Sequence, residues 1–391
     1  MNIGIFTDTF PPEINGVATS SYNLANALNS HGHNVFVICT NPYSKKLSYS
    51  NRTLRIPGLE LKKLYSYRIA NIYNSKAMKI INDMNLDLVH VQTEASIGLL
   101  GRIAAKKSKI PLVYTYHTMY EDYTYYVTKG NGVFDHFAKK IVRSFSRNLA
   151  ENTTEFISPS IKTKDIMRDY GVDSYINIVP TGIDFSKYKK ENIDNEKLND
   201  LRKQYNLDGN YVILSLGRVA KEKSIDMCIK GFKHLIDEKN INAKFVIVGD
   251  GPELNELKEL VHNMALDKHV IFVGSVMANE VPLYYHLANL FVSASITETQ
   301  GLTFMEAMAS SIPILARFDE NLVDVVIDNE TGFYFSDEFD FAKKVKEIMT
   351  LDNKQKEKIL TNAMNICNRY SLDKFYDNIM EVYTRALRKY W

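Results

Sequence analysis

The chain of 391 residues has only three cysteines and one tryptophan. Cys39, Cys228 and Cys367 are isolated and odd in number, without the spacing of a metal site, so buried free thiols are expected. Long hydrophobic runs are missing too: the longest apolar stretches have the length of strands, far short of the roughly 20 residues a membrane-spanning helix needs. Met1-Asn2-Ile3-Gly4-Ile5-Phe6 has no basic segment ahead of an apolar core and no small-residue cleavage site, and reads as a first strand rather than a leader. A cytoplasmic protein is expected. No Asp-x-Asp pair occurs and no His/Asp/Glu cluster has ligand spacing, so no metal is expected. Zinc-finger and RNA-recognition motifs are absent, which argues against nucleic acid as a partner.

What is there is a 45% hydrophobic share with mixed charge, as in a globular enzyme long enough for two domains. The net charge of +2 hides an asymmetry. Residues 1–190 hold 24 of the 48 Lys and Arg but only 15 of the 46 Asp and Glu, so they carry +9 and the remainder −7. A basic first half suggests an anionic surface as its partner.

Short β-rich runs alternate with helix-length segments: Ile3 to Thr7, Val35 to Thr40, Leu88 to Val91, Leu112 to Tyr116, Phe156 to Ser158 and Ile178 to Val179. Such alternation implies parallel strands with crossover helices, a doubly wound sheet. A turn-rich hinge, Val179-Pro180-Thr181-Gly182-Ile183-Asp184, and a charged helix-forming segment from Glu191 to Asn206 then precede a second series. Its strands are Val212 to Gly217, Phe245 to Gly249, Val270 to Gly274, Leu290 to Ala294 and Ile312 to Leu315. Several of them end in glycine, which suits close approach of backbone to a ligand. Phe375 to Trp391 closes the chain with apolar residues at helical spacing.

Candidate site residues sit where strands end. After the first strand, two prolines stiffen the loop and Gly16 precedes a helix from about Ala18 to Asn29, where free N–H groups favour anions. His117 follows the strand Leu112 to Tyr116, with Thr118, Tyr120, Glu121, Asp122 and Tyr123 next. Gly217-Arg218-Val219-Ala220-Lys221-Glu222-Lys223 follows the first strand of the second sheet; Arg218 can fork onto phosphate oxygens and Lys223 supplies a point charge. Leu290 to Ala294 leads into Thr297-Glu298-Thr299-Gln300-Gly301-Leu302, and the helix beginning there carries Glu306. Two carboxylates beside an anion-binding turn are unfavourable unless they bind hydroxyls, so a sugar and a ribose are the natural partners of Glu298 and Glu306.

Glu298 and Glu306 with Gln300-Gly301-Leu302 between them resemble the donor-site signature of the family 4 retaining glycosyltransferases. The Gly16 loop, the Pro-x-Gly-Ile-Asp crossing, Gly217-Arg218 with its downstream lysine, and the histidine after the strand resemble that family too. The His-Thr-x-Tyr-Glu-Asp-Tyr stretch looks like the bacterial enzymes that glucosylate diacylglycerol.

The resemblance implies two Rossmann-like domains facing a cleft, the GT-B type: residues 1–182 acceptor- and membrane-facing, 183–374 binding the nucleotide sugar, and a helix 375–391 crossing back to the first domain. It implies transfer of a hexose, glucose from UDP-glucose, to diacylglycerol at the inner face of the membrane, with a soluble sugar, a phosphoinositide or a cell-wall compound as the alternative acceptor. By the same resemblance Arg218, Lys223, the Gly16 N–H and amides from Thr299 to Leu302 stabilise the departing diphosphate, and Glu298 and His117 hold the sugar. Glu306 takes the ribose, Val276 lies beside the base, and no metal is required.

A further expectation concerns the surface. From Val133 to Leu149, Phe134, Phe137, Ala138, Ile141, Phe145 and Leu149 recur at helical spacing with Lys139, Lys140, Arg143 and Arg147 interleaved, as in a basic amphipathic helix. A second stretch, Lys62-Lys63-Leu64-Tyr65-Ser66-Tyr67-Arg68 with Lys76 and Lys79, lies in the same half. Tyr120 and Tyr123 are placed near the acceptor mouth.

Overall fold

The computed structural model describes residues 1–13, 15–61, 67–72, 74–117, 132–238, 241–295, 298 and 300–390. The chain forms two compact units, Met1–Gly182 with Leu372–Trp391, and Ile183–Ser371.

In the first unit the strands are β1 (Asn2–Thr7), β2 (Asn34–Asn41), β3 (Ser48–Ser50), β4 (Thr53–Leu61), β5 (Tyr67–Ala70), β6 (Leu88–Val91), β7 (Leu112–Thr115), β8 (Glu155–Ser158) and β9 (Ile176–Ile178). Their order is β3-β4-β2-β1-β6-β7-β8-β9, with β5 paired to β4. From β1 the chain winds outward through β2 to β4, then returns to lay β6 against the other side of β1. Ile3 is thus in register with both Val35 and Leu88. The order reverses between β1 and β6, which opens a crevice at their carboxyl ends.

Side chains alternate across this sheet. Phe6, Ile38, Val89, Val91, Tyr114 and Phe156 bury one face against the helices Ser75–Asp83 and Ser96–Ser108. Ile3, Ile5, Val37, Leu88 and Val113 bury the other against the helix Gly16–Ser30 and the C-terminal helix Leu372–Tyr390. That last helix starts at Leu372, ahead of the expected 375, because Leu372 extends the apolar stripe of Phe375, Ile379, Val382, Tyr383 and Ala386 by one turn. It is held further by Glu155 in β8, a buried carboxylate that accepts from Arg385 Nε at 3.1 Å and Lys389 Nζ at 2.9 Å.

The second unit has a parallel sheet of β10 (Tyr211–Leu216), β11 (Ala243–Val248), β12 (Val270–Gly274), β13 (Leu290–Ser293), β14 (Ile314–Arg317) and β15 (Phe333–Phe335). The order is β12-β11-β10-β13-β14-β15, so the reversal lies between β10 and β13. Both faces are buried: Ile213, Phe245, Ile247 and Val292 toward one layer of helices, Val212, Leu214, Val246 and Phe291 toward the other. β14 begins at Ile314 rather than the expected Ile312, since Ser311 in the left-handed region (φ 57°) and Pro313 are used to turn out of the preceding helix.

Of the strand-ending glycines, Gly249 has a packing role of its own, as does Gly251 in the turn beyond it. A Cβ on Gly249 would lie 1.8 Å from the Gly217 carbonyl oxygen, and one on Gly251 1.9 Å from that of Val219. These glycines let the chain pass over its own backbone, which is sufficient reason for them without a ligand.

Candidate active site

At the switch point of the second sheet, the loop after β10 carries Arg218 and Lys223 and the loop after β13 carries Glu298. The fold brings two of the predicted residues together: Lys223 Nζ donates to Glu298 Oε1 at 2.6 Å, with both side chains largely enclosed. A charged hydrogen bond of this length is among the stronger polar contacts a protein makes. The Glu298 backbone is fixed as well, its N–H donating to Asp319 Oδ2 at 3.0 Å. Arg218 is half-buried on the same loop as Lys223.

Gln300 is buried, and Gly301 stands as N-cap of the helix Leu302–Ala309 with φ 71° and no side-chain cap. A Cβ on Gly301 would lie 2.6 Å from Leu322 Cδ2, so conformation and packing both require glycine there. Glu306 sits on this helix, buried. Its Oε2 accepts from the Tyr285 hydroxyl at 2.9 Å, and Tyr188 is a second hydrogen-bond partner of its carboxyl group. Burial raises its pKa above the usual carboxylate range, and the two tyrosines oppose that rise. Neither tyrosine was legible as a site residue, since nothing in the spacing of Tyr188 or Tyr285 points to Glu306. Val276 follows β12 with its side chain packed on the core, leaving its backbone as the group available to a ligand.

At the switch point of the first sheet the residues are mostly neutral or internally satisfied. Asp8, just past β1, is buried with its carboxylate accepting from Thr93 Oγ1 at 2.6 Å, Ser96 Oγ at 2.6 Å and the Ile97 N–H at 2.9 Å. It thereby occupies the N-terminus of the helix Ser96–Ser108, whose N-cap Ala95 has no side chain to do so. Burial raises the Asp8 pKa against these bonds.

Gly16 opens the helix Gly16–Ser30, capped by Asn15 Oδ1, which accepts from the Ala18 N–H at 2.9 Å. A Cβ on Gly16 would meet nothing within 4 Å, and its φ is not positive. Among the described residues, nothing in the packing requires glycine at this exposed position.

His117, just past β7, is half-buried, with Nε2 at 2.6 Å from Gln92 Oε1. Burial of the ring lowers its pKa to about 4, so the imidazole is neutral near pH 7. Beneath it His90 is fully buried between the Tyr383 hydroxyl and Thr115 Oγ1, each at 2.7 Å. Gln92 was missed although the signal was available, a polar residue directly after an apolar strand, the same feature that singled out His117; His90 lies inside β6, where the strand pattern gave no such signal.

The helix Gly132–Glu151 divides the expected apolar face between the core and solvent. It buries Ser146, Leu149 and Ala150, while Ile141 (55% exposed) and Phe145 (46%) stand in solvent, although they share helical spacing with Leu149. Lys140, Arg143 and Arg147 are exposed and Lys139 half-buried. Part of this charge is engaged: Arg143 lies 5.6 Å over the Tyr170 ring and Arg147 3.6 Å from Asp173. The ribbon of β4 and β5 exposes a second apolar pair in register, Leu59 (79%) and Ile69 (45%), with Arg68 beside them. Tyr120, Tyr123, Thr299 and Lys62 to Ser66 lie outside the described residues. Among the described residues, no helix is long and apolar enough to cross a membrane, and no group of three or more His, Cys, Asp or Glu could hold a metal ion.

Comparison with known proteins agrees with the two-unit division of the sheets. Residues 14–187 match the family model Glycosyltransferase Family 4, and residues 198–365 match Glycosyl transferases group 1. The alpha-monoglucosyldiacylglycerol synthase of Streptococcus pneumoniae is 35% identical over 388 residues, covering 99% of this chain and 86% of that protein. The synthase of the same name from Acholeplasma laidlawii is 35% identical over 352 residues, 89% of this chain and 88% of that one. Among solved structures, Anabaena HepE in complex with UDP and glucose superposes with a TM-score of 0.75 at 18% identity, covering 97% of this chain and 98% of its own. Sucrose-phosphate synthase from Thermosynechococcus elongatus gives 0.74 at 19%, covering 98% of each.

Proposed function

Because the chain belongs to the family 4 glycosyltransferases and has their GT-B fold of two Rossmann-like domains, we propose that it moves glucose from UDP-glucose to the hydroxyl of diacylglycerol, with retained anomeric configuration, at an anionic membrane surface. The observation that carries the acceptor is the 35% identity, across 99% of the chain, to a protein named for synthesis of monoglucosyldiacylglycerol. The donor is supported by the bound UDP and glucose of a protein with the same fold.

The chemistry follows from the switch-point charges. As the glycosidic bond of the donor breaks, negative charge grows on the diphosphate, where Arg218 and Lys223 act with the backbone from Gln300 to Leu302. Gly16, which packing among the described residues does not require, suits the close approach of a ligand oxygen to its amide. Glu298 holds sugar hydroxyls through the acceptor capacity left after its bond to Lys223, and Glu306 takes the ribose. The departing phosphate accepts the proton of the acceptor hydroxyl on the same face as the bond being formed. His117 meets the transferred sugar.

Exposed Ile141 and Phe145 beside Lys140, Arg143 and Arg147, and exposed Leu59 and Ile69 beside Arg68, fit an anionic leaflet: apolar tips for the acyl boundary and cations for the headgroups. The enzyme is then peripheral and its binding weakens with salt.

The test is incubation of the full chain with diacylglycerol vesicles and a panel of labelled nucleotide sugars, followed by lipid extraction. Label from UDP-glucose in a monoglucosyl lipid is expected. Label confined to soluble acceptors, with vesicles ignored, would overturn the lipid reading.

A further inference from the structure

We infer that Gln92 is a positioning residue for His117: its side-chain carbonyl holds the imidazole as the neutral Nε2–H tautomer and so leaves Nδ1 as a hydrogen-bond acceptor for a ligand hydroxyl. The inference rests on the reading that His117 meets the transferred sugar.

Gln92 is well placed to impose an orientation. It follows β6 directly, its backbone N–H donates to the Phe6 carbonyl at 2.8 Å, and the residue is only 2% exposed. His117 follows β7, the next strand, paired in parallel with β6 through Val91 and Tyr114. Both side chains therefore rise from adjacent strand ends, and Oε1 and Nε2 meet at 2.6 Å. A neutral imidazole carries one proton, and the partner of one nitrogen decides where it resides. An amide carbonyl facing Nε2 places the proton there, and Nδ1 keeps its lone pair. The alternative, with the amide turned over, would have the Gln92 NH2 donate to Nε2, move the proton to Nδ1 and make that nitrogen a donor.

Each arrangement leaves one buried Gln92 amide atom without a partner among the described residues, so the two are separated by the contact to His117 and by the ligand. Only the first keeps the shorter contact as N–H to carbonyl, and only it gives a sugar hydroxyl an acceptor. Hydroxyls donate readily, and the backbone N–H groups of Asp8, Thr9, Gln92 and Ile97 at this crevice are bonded within the protein. The ring stays neutral because it is enclosed and because the titratable neighbour beneath it, His90, is itself held neutral by burial, with a pKa of about 3. His90 is locked by Thr115 and by Tyr383 of the C-terminal helix, so β6 and β7 are tied together just below the Gln92–His117 pair.

The experiment is 15N NMR of histidine-labelled full chain, wild type, Gln92→Leu and Gln92→Glu, read with steady-state kinetics. In the wild type at neutral pH, His117 should be the Nε2–H tautomer. Gln92→Leu should shift it toward Nδ1–H and lower kcat about tenfold, the rate equivalent of one neutral hydrogen bond, with little change in donor KM. Gln92→Glu supplies only acceptors; it should restore the tautomer and most of kcat, and move the acid limb of the pH profile upward, since a carboxylate opposite the ring raises its pKa. A wild-type Nδ1–H tautomer, or a tautomer unchanged in Gln92→Leu, overturns the inference. The reading of His117 fails separately: His117→Ala with full transfer activity would remove its role at the sugar while the NMR result on Gln92 stood.

Discussion

The two sheets share their central parallel strand order and differ in what they place at its reversal. In the second, an ion pair between Lys223 and Glu298 occupies the crevice with Arg218 on the same loop. In the first, Asp8 is enclosed by hydroxyls and a helix N-terminus, His117 bonds Gln92, and a neutral His90 bonds Thr115 and Tyr383. One crevice suits a ligand that gains charge during reaction, the other a neutral, hydroxyl-rich group. The contrast shows that a doubly wound sheet supplies a location, and the residues at its strand ends supply the chemistry.

The strongest way to break the comparison is on the charged side. Arg218→Ala should lower kcat roughly a hundred- to a thousandfold, about 3 to 4 kcal/mol, with donor KM changed far less, because the phosphate charge it meets grows toward the transition state. Steady-state kinetics with UDP-glucose decides this, and full turnover in the variant would remove Arg218 from leaving-group stabilisation.

On the neutral side, Asp8→Ala orphans three buried donors and uncaps the helix Ser96–Ser108, so unfolding free energy should fall by about 3 kcal/mol. Denaturant unfolding measures it. An unchanged midpoint would mean water replaces the carboxylate.

At the amino end of β8 in the first unit, Glu155 meets Arg385 and Lys389, and there charge is structural. Burial alone would raise the pKa of Glu155, but Lys389, Asn177 and Arg385 outweigh it and hold the carboxyl below its ordinary range. Such a group contributes stability that is present above the unfolded pKa and lost as pH falls through the depressed folded value. Glu155→Gln should therefore cost about 2 kcal/mol near pH 7, discounted because both cations are half exposed. The gap from wild type should close as the pH is lowered through the acid range, as thermal melts across pH would show; a gap independent of pH would deny the ion pair its role.

The smallest effect sharpens the contrast at the surface. Lys140→Ser should weaken sedimentation with anionic vesicles about fivefold, near 1 kcal/mol, and leave binding to neutral vesicles unchanged. Equal loss on both would make the helix Gly132–Glu151 an apolar contact only.

Runs such as Val35 to Thr40 and Phe245 to Gly249 announced their strands because a parallel strand buried on both faces must be apolar throughout. β3, β4 and β5 gave no such signal: Ser48 to Ser50 is wholly exposed and β4 holds Pro57 and Gly58, so their pairing at the sheet edge depends on neighbours rather than on composition. The helix Gly132–Glu151 was legible as a helix, but which stripe it buries was not, because Ile141, Phe145 and Leu149 share one periodicity and only the packing of Leu149, Ala150 and Ser146 decides which side faces in.

By itself the sequence determined the alternation of elements, the hinge near Gly182, the buried free thiols and the residue types at strand ends, since all of these follow from local pattern and chain length. Tertiary structure alone decided that Lys223 meets Glu298 across 75 positions of chain, that Tyr188 and Tyr285 bond Glu306, and that Gln92 faces His117. Contacts of this kind depend on which strands become neighbours, and a parallel sheet sets that order through long-range packing that no local window of sequence contains.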